Sequence, residues 1–166
     1  EIGLGITAEP LFRSLRLYKN ETARPGYYST MLTKYGIKCE VASTMRSSIE
    51  RYTFPKGKGN LLFNLGNGLT NEIGASLRRV SDTEFEGTRL LGTFCYNPQA
   101  VFPMYFVVRV SKKPAAYGMW KKQPAFGNAQ AQWDSDQGKY KLYPGYGRDM
   151  AGNDIGYYMS YDCAEG

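Results

Sequence analysis

The side chains in this sequence that could take part in chemistry are carboxylates, aromatic rings and thiols, because the 166 residues contain no histidine. The lack of histidine excludes nucleophile systems of the Ser-His and Cys-His types and removes the commonest zinc ligand. Acid–base chemistry would then need two carboxylates that face each other across a cleft. Glu50, Glu84 and Glu86 lie on predicted strands at spacings that form no such pair. We therefore predict no catalytic residue in this chain.

Aromatic side chains are concentrated between residues 124 and 152, in a polar, glycine-rich segment. Its composition predicts one long irregular loop, a kind of segment that often has a function. Trp133, Tyr140, Tyr143 and Tyr146 could stack on the C–H face of a sugar ring, or could instead hold the loop against its own sandwich. Packing is the commoner role, and Trp133, Tyr140 and Tyr143 are the candidate substrate-binding residues.

Metal binding is disfavoured by the spacing of the possible ligands. Asp134, Asp136 and Gly138 are similar to the start of a calcium loop, but the third ligand position and the terminal Glu are missing. The three cysteines are an odd number without C-x-x-C spacing, so we expect buried free thiols rather than disulfides or a zinc site. We predict no metal ion and no cofactor in this chain.

The charge balance does not indicate a nucleic-acid partner. The formal net charge is +6, but the basic residues are scattered, with acids between many of them. This distribution is typical of a solvated sheet surface. No apolar run reaches 18 residues, so we expect no membrane span either.

Alternation with a period of two is the dominant pattern and predicts an all-β chain. Its clearest example places Ile37, Cys39 and Val41 on one strand face and Lys38 and Glu40 on the other. The segment "PMYFVVRV" is apolar on both faces, as expected of a central strand that is covered on each side. Short strands between Gly- and Pro-marked turns favour an antiparallel β-sandwich. The predicted strands are 28–33, 37–45, 49–54, 60–65, 75–81, 84–91, 103–111, 116–121 and 155–162, with a tight turn at 34–36.

The length suits a single domain, 1–166. The sequence begins without Met or a signal-like segment and ends in what reads as a strand followed by a loop. We expect an excised part of a larger multidomain chain.

Four ordered blocks carry a family resemblance: "ETARPGYYSTML", "ASTMRSSIERYTFP", "NLLFNLGN" and "GTFCYNPQAVFPMYFVVRVSKKP". In order and spacing they resemble the N-terminal β-sandwich domain of glycoside hydrolase family 92, a family of bacterial exo-acting α-mannosidases. The resemblance covers residues 12–114 well and the remainder more loosely. It implies a galactose-mutarotase-like supersandwich fold, and a scaffold edge at Glu21, Arg46, Arg51 and Tyr52 that could contact a neighbouring domain.

The resemblance also implies properties of a parent enzyme. Such an enzyme would release mannose from mannose-containing glycans with inversion, with an α-1,2 linkage preference. Its acid and base carboxylates and its calcium ion would belong to a following (α/α)₆ catalytic domain, which is the expected partner of this chain. The expected location is the bacterial periplasm, the cell surface or the medium. Two alternatives remain open: a free-standing carbohydrate-binding sandwich that uses the aromatic residues of 124–152, and a structural or interaction domain without a ligand.

Overall fold

The computed structural model of the chain describes residues 18–66, 74–92, 101–122 and 140–164. Helices are absent from these residues, and the strands pair in antiparallel sheets, which confirms the all-β prediction. The strands are β1 (Tyr18–Arg24), β2 (Tyr27–Leu32), β3 (Ile37–Ser43), β4 (Ser48–Thr53), β5 (Gly57–Asn64), β6 (Ala75–Arg79), β7 (Glu84–Leu91), β8 (Phe102–Arg109), β9 (Ala116–Lys122), β10 (Tyr140–Pro144), β11 (Met150–Gly152) and β12 (Ile155–Cys163).

The chain forms two compact units. Among the described residues, the larger unit comprises those from Asn60 to Tyr161, and the smaller unit comprises those from Tyr18 to Gly59 together with 162–164. Strands β1 to β4 belong to the smaller unit, whereas β6 to β11 and most of β5 and β12 belong to the larger one. The interpretation of 1–166 as one domain stays a prediction.

The smaller unit contains a single four-stranded sheet in which each of β1 to β4 pairs with the next strand along the chain. Only Pro25 and Gly26 connect β1 to β2, and Gly26 has a φ of 73°, which favours glycine because it has no Cβ. The Gly26 carbonyl accepts a hydrogen bond of 3.0 Å from the Ser43 N–H, which ties this turn to the end of β3. Gly36, with a φ of 64°, closes the next hairpin, and the predicted turn at 34–36 is confirmed.

The larger unit is a β-sandwich of two four-stranded sheets. Sheet I has the strand order β10-β9-β12-β5, and sheet II has the order β11-β6-β7-β8. Because side chains alternate along a strand, each sheet can turn one apolar face towards the other. The buried core between them contains Leu65, Ala75, Leu77, Phe85, Met119, Met150, Ile155, Tyr157 and Met159.

Aromatic rings from both sheets meet at the centre of this core. The ring centroids of Phe63 and Phe85 are 5.2 Å apart in an edge-to-face arrangement, and those of Phe85 and Tyr157 are 4.6 Å apart. Phe85 is only 1% exposed. Such aromatic pairs add specific geometry to the apolar area that they bury. The predicted β-sandwich is therefore found in the larger unit.

Strands β9 and β12 of sheet I also pack closely against each other, at Gly156 and Trp120. Gly156 lies directly opposite Trp120 in the antiparallel pairing. A Cβ on Gly156 would be 2.0 Å from Cζ2 of Trp120, so only glycine leaves room for the indole ring here. The indole is 7% exposed.

Two strands lie inside the segment that we predicted to be an irregular loop. Tyr140–Pro144 forms β10 and pairs with β9, and Met150–Gly152 forms β11 and pairs with β6. The loop prediction is wrong for these residues because pairing with another strand, β9 or β6, rather than local composition makes them extended. Residues 124–139 of the predicted loop lie outside the described residues.

Strand β8 also differs from its prediction. Among the described residues it is an edge strand of sheet II, not a central one, and Phe102, Met104, Tyr105 and Val107 are exposed. Phe106 packs against the core of the larger unit. An edge position accommodates Pro103, which has no N–H to donate to a further strand.

Two further predictions concern the thiols and the membrane. Cys39 and Cys163 are free, as expected, but each is only partly buried, and Cys95 lies outside the described residues. Within the described ranges, no helix has the length and apolar character needed to cross a membrane.

Candidate functional site

Two of the three candidate substrate-binding residues lie on β10. The Tyr140 ring is 53% exposed, and its hydroxyl donates a hydrogen bond of 2.7 Å to Oδ2 of Asp154. The ammonium group of Lys122 lies 5.8 Å from the centre of the same ring. Trp133 lies outside the described residues.

Tyr143 has a different environment from Tyr140. It packs against the core of the larger unit, and its ring centroid is 6.0 Å from that of Tyr146. Tyr143 is three positions after Tyr140 on the strand, and because successive side chains alternate, the two rings point to opposite faces. The structure does not bring them together as one platform, and a sugar could stack on only one of them at a time.

A polar cluster of the smaller unit is centred on Glu40, in the middle of β3. Glu40 lies opposite Ser29 of β2 and opposite Arg51 of β4. Its Oε2 is 2.7 Å from Nε of Arg51, and its Oε1 is 3.1 Å from Nζ of Lys38. The Tyr27 hydroxyl donates a further hydrogen bond of 3.1 Å to Oε1. We call these four residues, Tyr27, Lys38, Glu40 and Arg51, the Glu40 cluster.

This cluster fixes the protonation state of its carboxylate. Hydrogen bonds from Arg51 and Lys38 lower the pKa of Glu40 from 4.5 to about 2. The same pairing raises the pKa of Arg51. Because Glu40 is ionised and already paired near neutral pH, it has no proton to donate as a general acid.

The predicted interface residues are spread over the smaller unit. Arg51 belongs to the Glu40 cluster, with 72% of its side chain exposed. Glu21, on β1, accepts a hydrogen bond of 2.8 Å from the Tyr28 hydroxyl. Arg46 is exposed in the turn between β3 and β4.

Tyr52, the fourth interface candidate, is next to Arg51 on β4 and therefore points to the other face of the sheet. Its hydroxyl donates a hydrogen bond to Oε2 of Glu50. Burial, followed by this contact with Glu50, raises the pKa of Tyr52. The structure thus divides the predicted edge between two sheet faces and a turn.

The acids of sheet II are also paired with cations. Glu84 is 2.5 Å from Nε of Arg109, and Glu86 is 2.5 Å from a terminal nitrogen of Arg78. Each pair joins residues directly opposite each other on neighbouring strands, a favourable cross-strand arrangement. Among the described residues, no three His, Cys, Asp or Glu side chains converge as metal ligands would.

Sequence reasoning missed the Glu40 cluster as a unit. The alternation placed Lys38 and Glu40 on one face of β3, but it gave no register between strands. The available signal was the presence of Glu40, Arg51 and Tyr27 on successive hairpin strands. The lengths of the two turns set the register between the strands, and this register brings the three residues into contact.

Comparison with known proteins gives a family and a fold. The profile of the glycosyl hydrolase family 92 N-terminal domain matches residues 9–166. The solved structure of the family GH92 α-mannosidase BT3965 from Bacteroides thetaiotaomicron is similar, with a TM-score of 0.67, 23% sequence identity and 90% of this chain covered. The structure of the same enzyme in complex with mannoimidazole gives the same TM-score, identity and coverage of this chain. No curated protein matches the sequence significantly.

The match involves a small part of the solved enzyme. The chain spans 19% of the length of that α-mannosidase chain, or 18% in the mannoimidazole complex. At 23% identity the structural likeness shows a shared fold. The family match, in contrast, extends over nearly the whole sequence, from residue 9 to residue 166. The chain belongs to the glycosyl hydrolase family 92 N-terminal domain family.

Proposed function

We propose that this chain is the non-catalytic β-sandwich part of an α-mannosidase that acts on mannose-containing glycans. The family match over residues 9–166 is the observation that carries the proposal. The catalytic acid and base of such an enzyme belong to a following (α/α)₆ domain, which is the partner of this chain. Its role is to support that domain.

The ion pairs of the described acids support a non-catalytic role. Inverting hydrolysis needs one protonated and one ionised carboxyl about 6.5–9.5 Å apart. Glu40 is held ionised by two cations, and Glu84 and Glu86 each contact an arginine. These carboxylates have structural partners, so the chemistry is assigned to the remainder of the enzyme.

The proposal extends to the finer properties that the family resemblance implies. They are calcium dependence, inversion, an α-1,2 preference and location in the periplasm, at the cell surface or outside the cell. We assign calcium to the catalytic domain, as the family resemblance implies. Trp133, Tyr140 and Tyr143 remain the proposed glycan contacts of this chain.

The predicted edge residues are proposed to contact the catalytic domain. Arg51 keeps 72% of its side chain exposed although it is paired with Glu40, and it can donate to a further acceptor. Arg46 extends from a turn and presents a second guanidinium group. Glu21 and Tyr52 complete the proposed interface set.

The test compares the 166-residue chain with a longer protein that contains it followed by the catalytic domain. Both are incubated with calcium and an activated aryl α-mannoside or an α-linked mannobiose, and mannose release is measured. We expect turnover by the longer protein that a calcium chelator abolishes, and release by the chain alone equal to that in buffer. Turnover by the chain alone that is lost in Glu50→Gln or Asp136→Asn would make this chain an enzyme and overturn the proposal.

A further inference from the structure

The outer face of sheet II, which points away from the core of the larger unit, contains an open hollow of about 480 Å³. This volume is within the range of small-molecule sites in proteins. The most exposed ring beside it belongs to Tyr105 on β8, which is 75% exposed. The other outward side chains that line it are Ser76, Arg78, Glu86, Thr88 and Val107.

The shape of the hollow follows from the sizes of the outward side chains on β6, β7 and β8. Residues directly opposite each other on these three strands form a row across the sheet, and two such rows line the hollow. In one row, Ser76 lies opposite Thr88, and Thr88 lies opposite Tyr105. Two small side chains therefore form a floor, with the phenol ring at one end as a wall. Along the strands, the neighbouring outward row is about 6.6–6.8 Å away, a separation comparable with the length of one sugar ring.

The neighbouring row borders the floor along one side and is polar at one end. Arg78 lies opposite Glu86, and Glu86 lies opposite Val107. Nε of Arg78 donates a hydrogen bond of 2.6 Å to Oε1 of Glu86. This pairing fixes both planar groups beside the floor and leaves donors and acceptors for a ligand. Val107, which is 57% exposed, adds an apolar surface next to the Tyr105 wall.

Hydroxyl groups on the floor add further donors and acceptors. The Ser76 and Thr88 hydroxyls are 2.8 Å apart and hydrogen-bonded to each other. A hydroxyl has one proton and two lone pairs, so each of the two keeps capacity for a ligand hydroxyl. The exposed aromatic ring suits an apolar C–H face of a ligand. The paired hydroxyls and the fixed Arg–Glu pair suit hydroxyl groups around the edge of the same ligand.

We infer that this hollow, which we call the Tyr105 surface, binds a neutral pyranose residue of a glycan. The ring of Tyr105 would stack on the C–H face of the sugar, while Ser76, Thr88, Arg78 and Glu86 would bind its hydroxyls. An anionic ligand is disfavoured because Glu86 neutralises Arg78 and Asp149 adds a second acid to the lining. The surface is separate from the β10 aromatic residues, and only the choice of mannose as the first probe rests on the proposed function.

The test is a titration of the 166-residue chain, followed by ¹H–¹⁵N NMR, with the methyl α-pyranosides of mannose, glucose and galactose. We expect saturable shifts in β6, β7 and β8 with a dissociation constant in the millimolar range for at least one sugar. Tyr105→Ala should weaken that binding about tenfold or more, and Tyr105→Phe should keep it because the ring remains. The matched control is Tyr35→Ala, which removes a tyrosine that is 56% exposed in the smaller unit and should leave the affinity unchanged.

Thr88→Val separates hydrogen bonding from stacking, because it keeps the side-chain shape and removes the hydroxyl; it should weaken binding severalfold. Circular dichroism of each variant shows whether it is folded. Binding of the glucoside or galactoside alone would still support the surface, and the proposed mannosidase role is tested separately by mannose release. The inference would be overturned if none of the three sugars showed saturable binding, or if Tyr105→Ala left the affinity unchanged.

Discussion

The two units of this chain are stabilised by different interactions. The larger unit encloses an aromatic core between two sheets, with Phe85, Met119 and Ile155 at most 1% exposed. The described sheet of the smaller unit has buried polar residues instead: Ser29, Thr30 and Glu40 are at most 9% exposed. Its central interaction is a carboxylate held by two cations. The comparison shows that one β-rich chain can contain two kinds of region. One depends on apolar packing for its stability, and in the other, ion pairs make a larger contribution to stability.

This difference has consequences for how each unit responds to substitution. Removal of a packed ring leaves a cavity, which costs free energy at every pH. Loss of a solvent-accessible ion pair costs much less, and the cost depends on pH and salt. Three substitutions, from the largest to the smallest expected effect, examine the contrast.

Phe85→Ala should cause the largest loss of stability. The ring is buried against Phe63 and Tyr157, and its removal is expected to lower the free energy of unfolding by about 3–5 kcal/mol. The measurement is urea unfolding followed by tryptophan fluorescence, because Trp120 is buried on β9 of the larger unit and reports on its unfolding.

The matched control for this substitution is Phe102→Ala, at a ring that is 51% exposed on β8. It should lower the free energy of unfolding by less than about 1 kcal/mol, since much of that ring already contacts water. Equal losses for Phe85→Ala and Phe102→Ala would contradict the assignment of an aromatic core to the larger unit.

Gly156→Ala should have the second-largest effect. The new methyl group would overlap the Trp120 ring, and the overpacking is expected to cost about 1–3 kcal/mol. Introducing the same substitution into a Trp120→Leu background provides the control, because the smaller side chain leaves space for the methyl group. If the two costs are the same in a double-mutant cycle, the close approach of β9 and β12 is wrong.

Glu40→Gln should have the smallest effect, and a pH-dependent one. The pKa of Glu40 is about 2 in the folded chain, below the value of about 4.3 for an unfolded glutamate. A lowered pKa stabilises the fold above the unfolded pKa, and this contribution is lost as the pH falls from about 4.3 to about 2. The variant should therefore lose part of its acid sensitivity in that window.

Hydrogen exchange of the β3 amides, measured across this pH range, reports on the smaller unit directly. Asp162→Asn is the control, because it removes an exposed carboxylate from the end of β12. We expect its pH profile to follow that of the unsubstituted chain. A Glu40→Gln profile that also follows the unsubstituted chain would show that the cluster does not stabilise the sheet.

The elements that could be predicted from sequence are those with a local signal. The predicted strand 84–91 has the bounds of β7, and 37–45 contains β3, because alternation over six or more residues is visible without knowledge of any partner. β1 was missed because its seven residues, "YKNETAR", are exposed throughout and show no apolar alternation. It is extended because it pairs with β2.

The candidate sites were harder to predict because each depends on register between strands. The Glu40 cluster needs three strands in alignment, and the Tyr105 surface needs β6, β7 and β8 in alignment. The sequence shows that β8 is apolar on both faces, and from this pattern we predicted a central strand covered on each side. Its inward residues pack in the core while Tyr105 and Val107 stay exposed, a distinction that hydropathy alone does not make.

The sequential pairing of β1 to β4 also has a kinetic consequence. Each strand is joined to its partner by a short turn, with Pro25 and Gly26 alone between the first two. The sheet therefore forms through contacts between residues that are near each other along the chain, and closing such short loops costs little entropy. β5 and β12, which are neighbours in sheet I, must instead meet across the intervening sequence from Asn64 to Ile155. Because rates of folding fall as contacting residues become more distant in sequence, the β1–β4 sheet should assemble before sheet I as the chain folds.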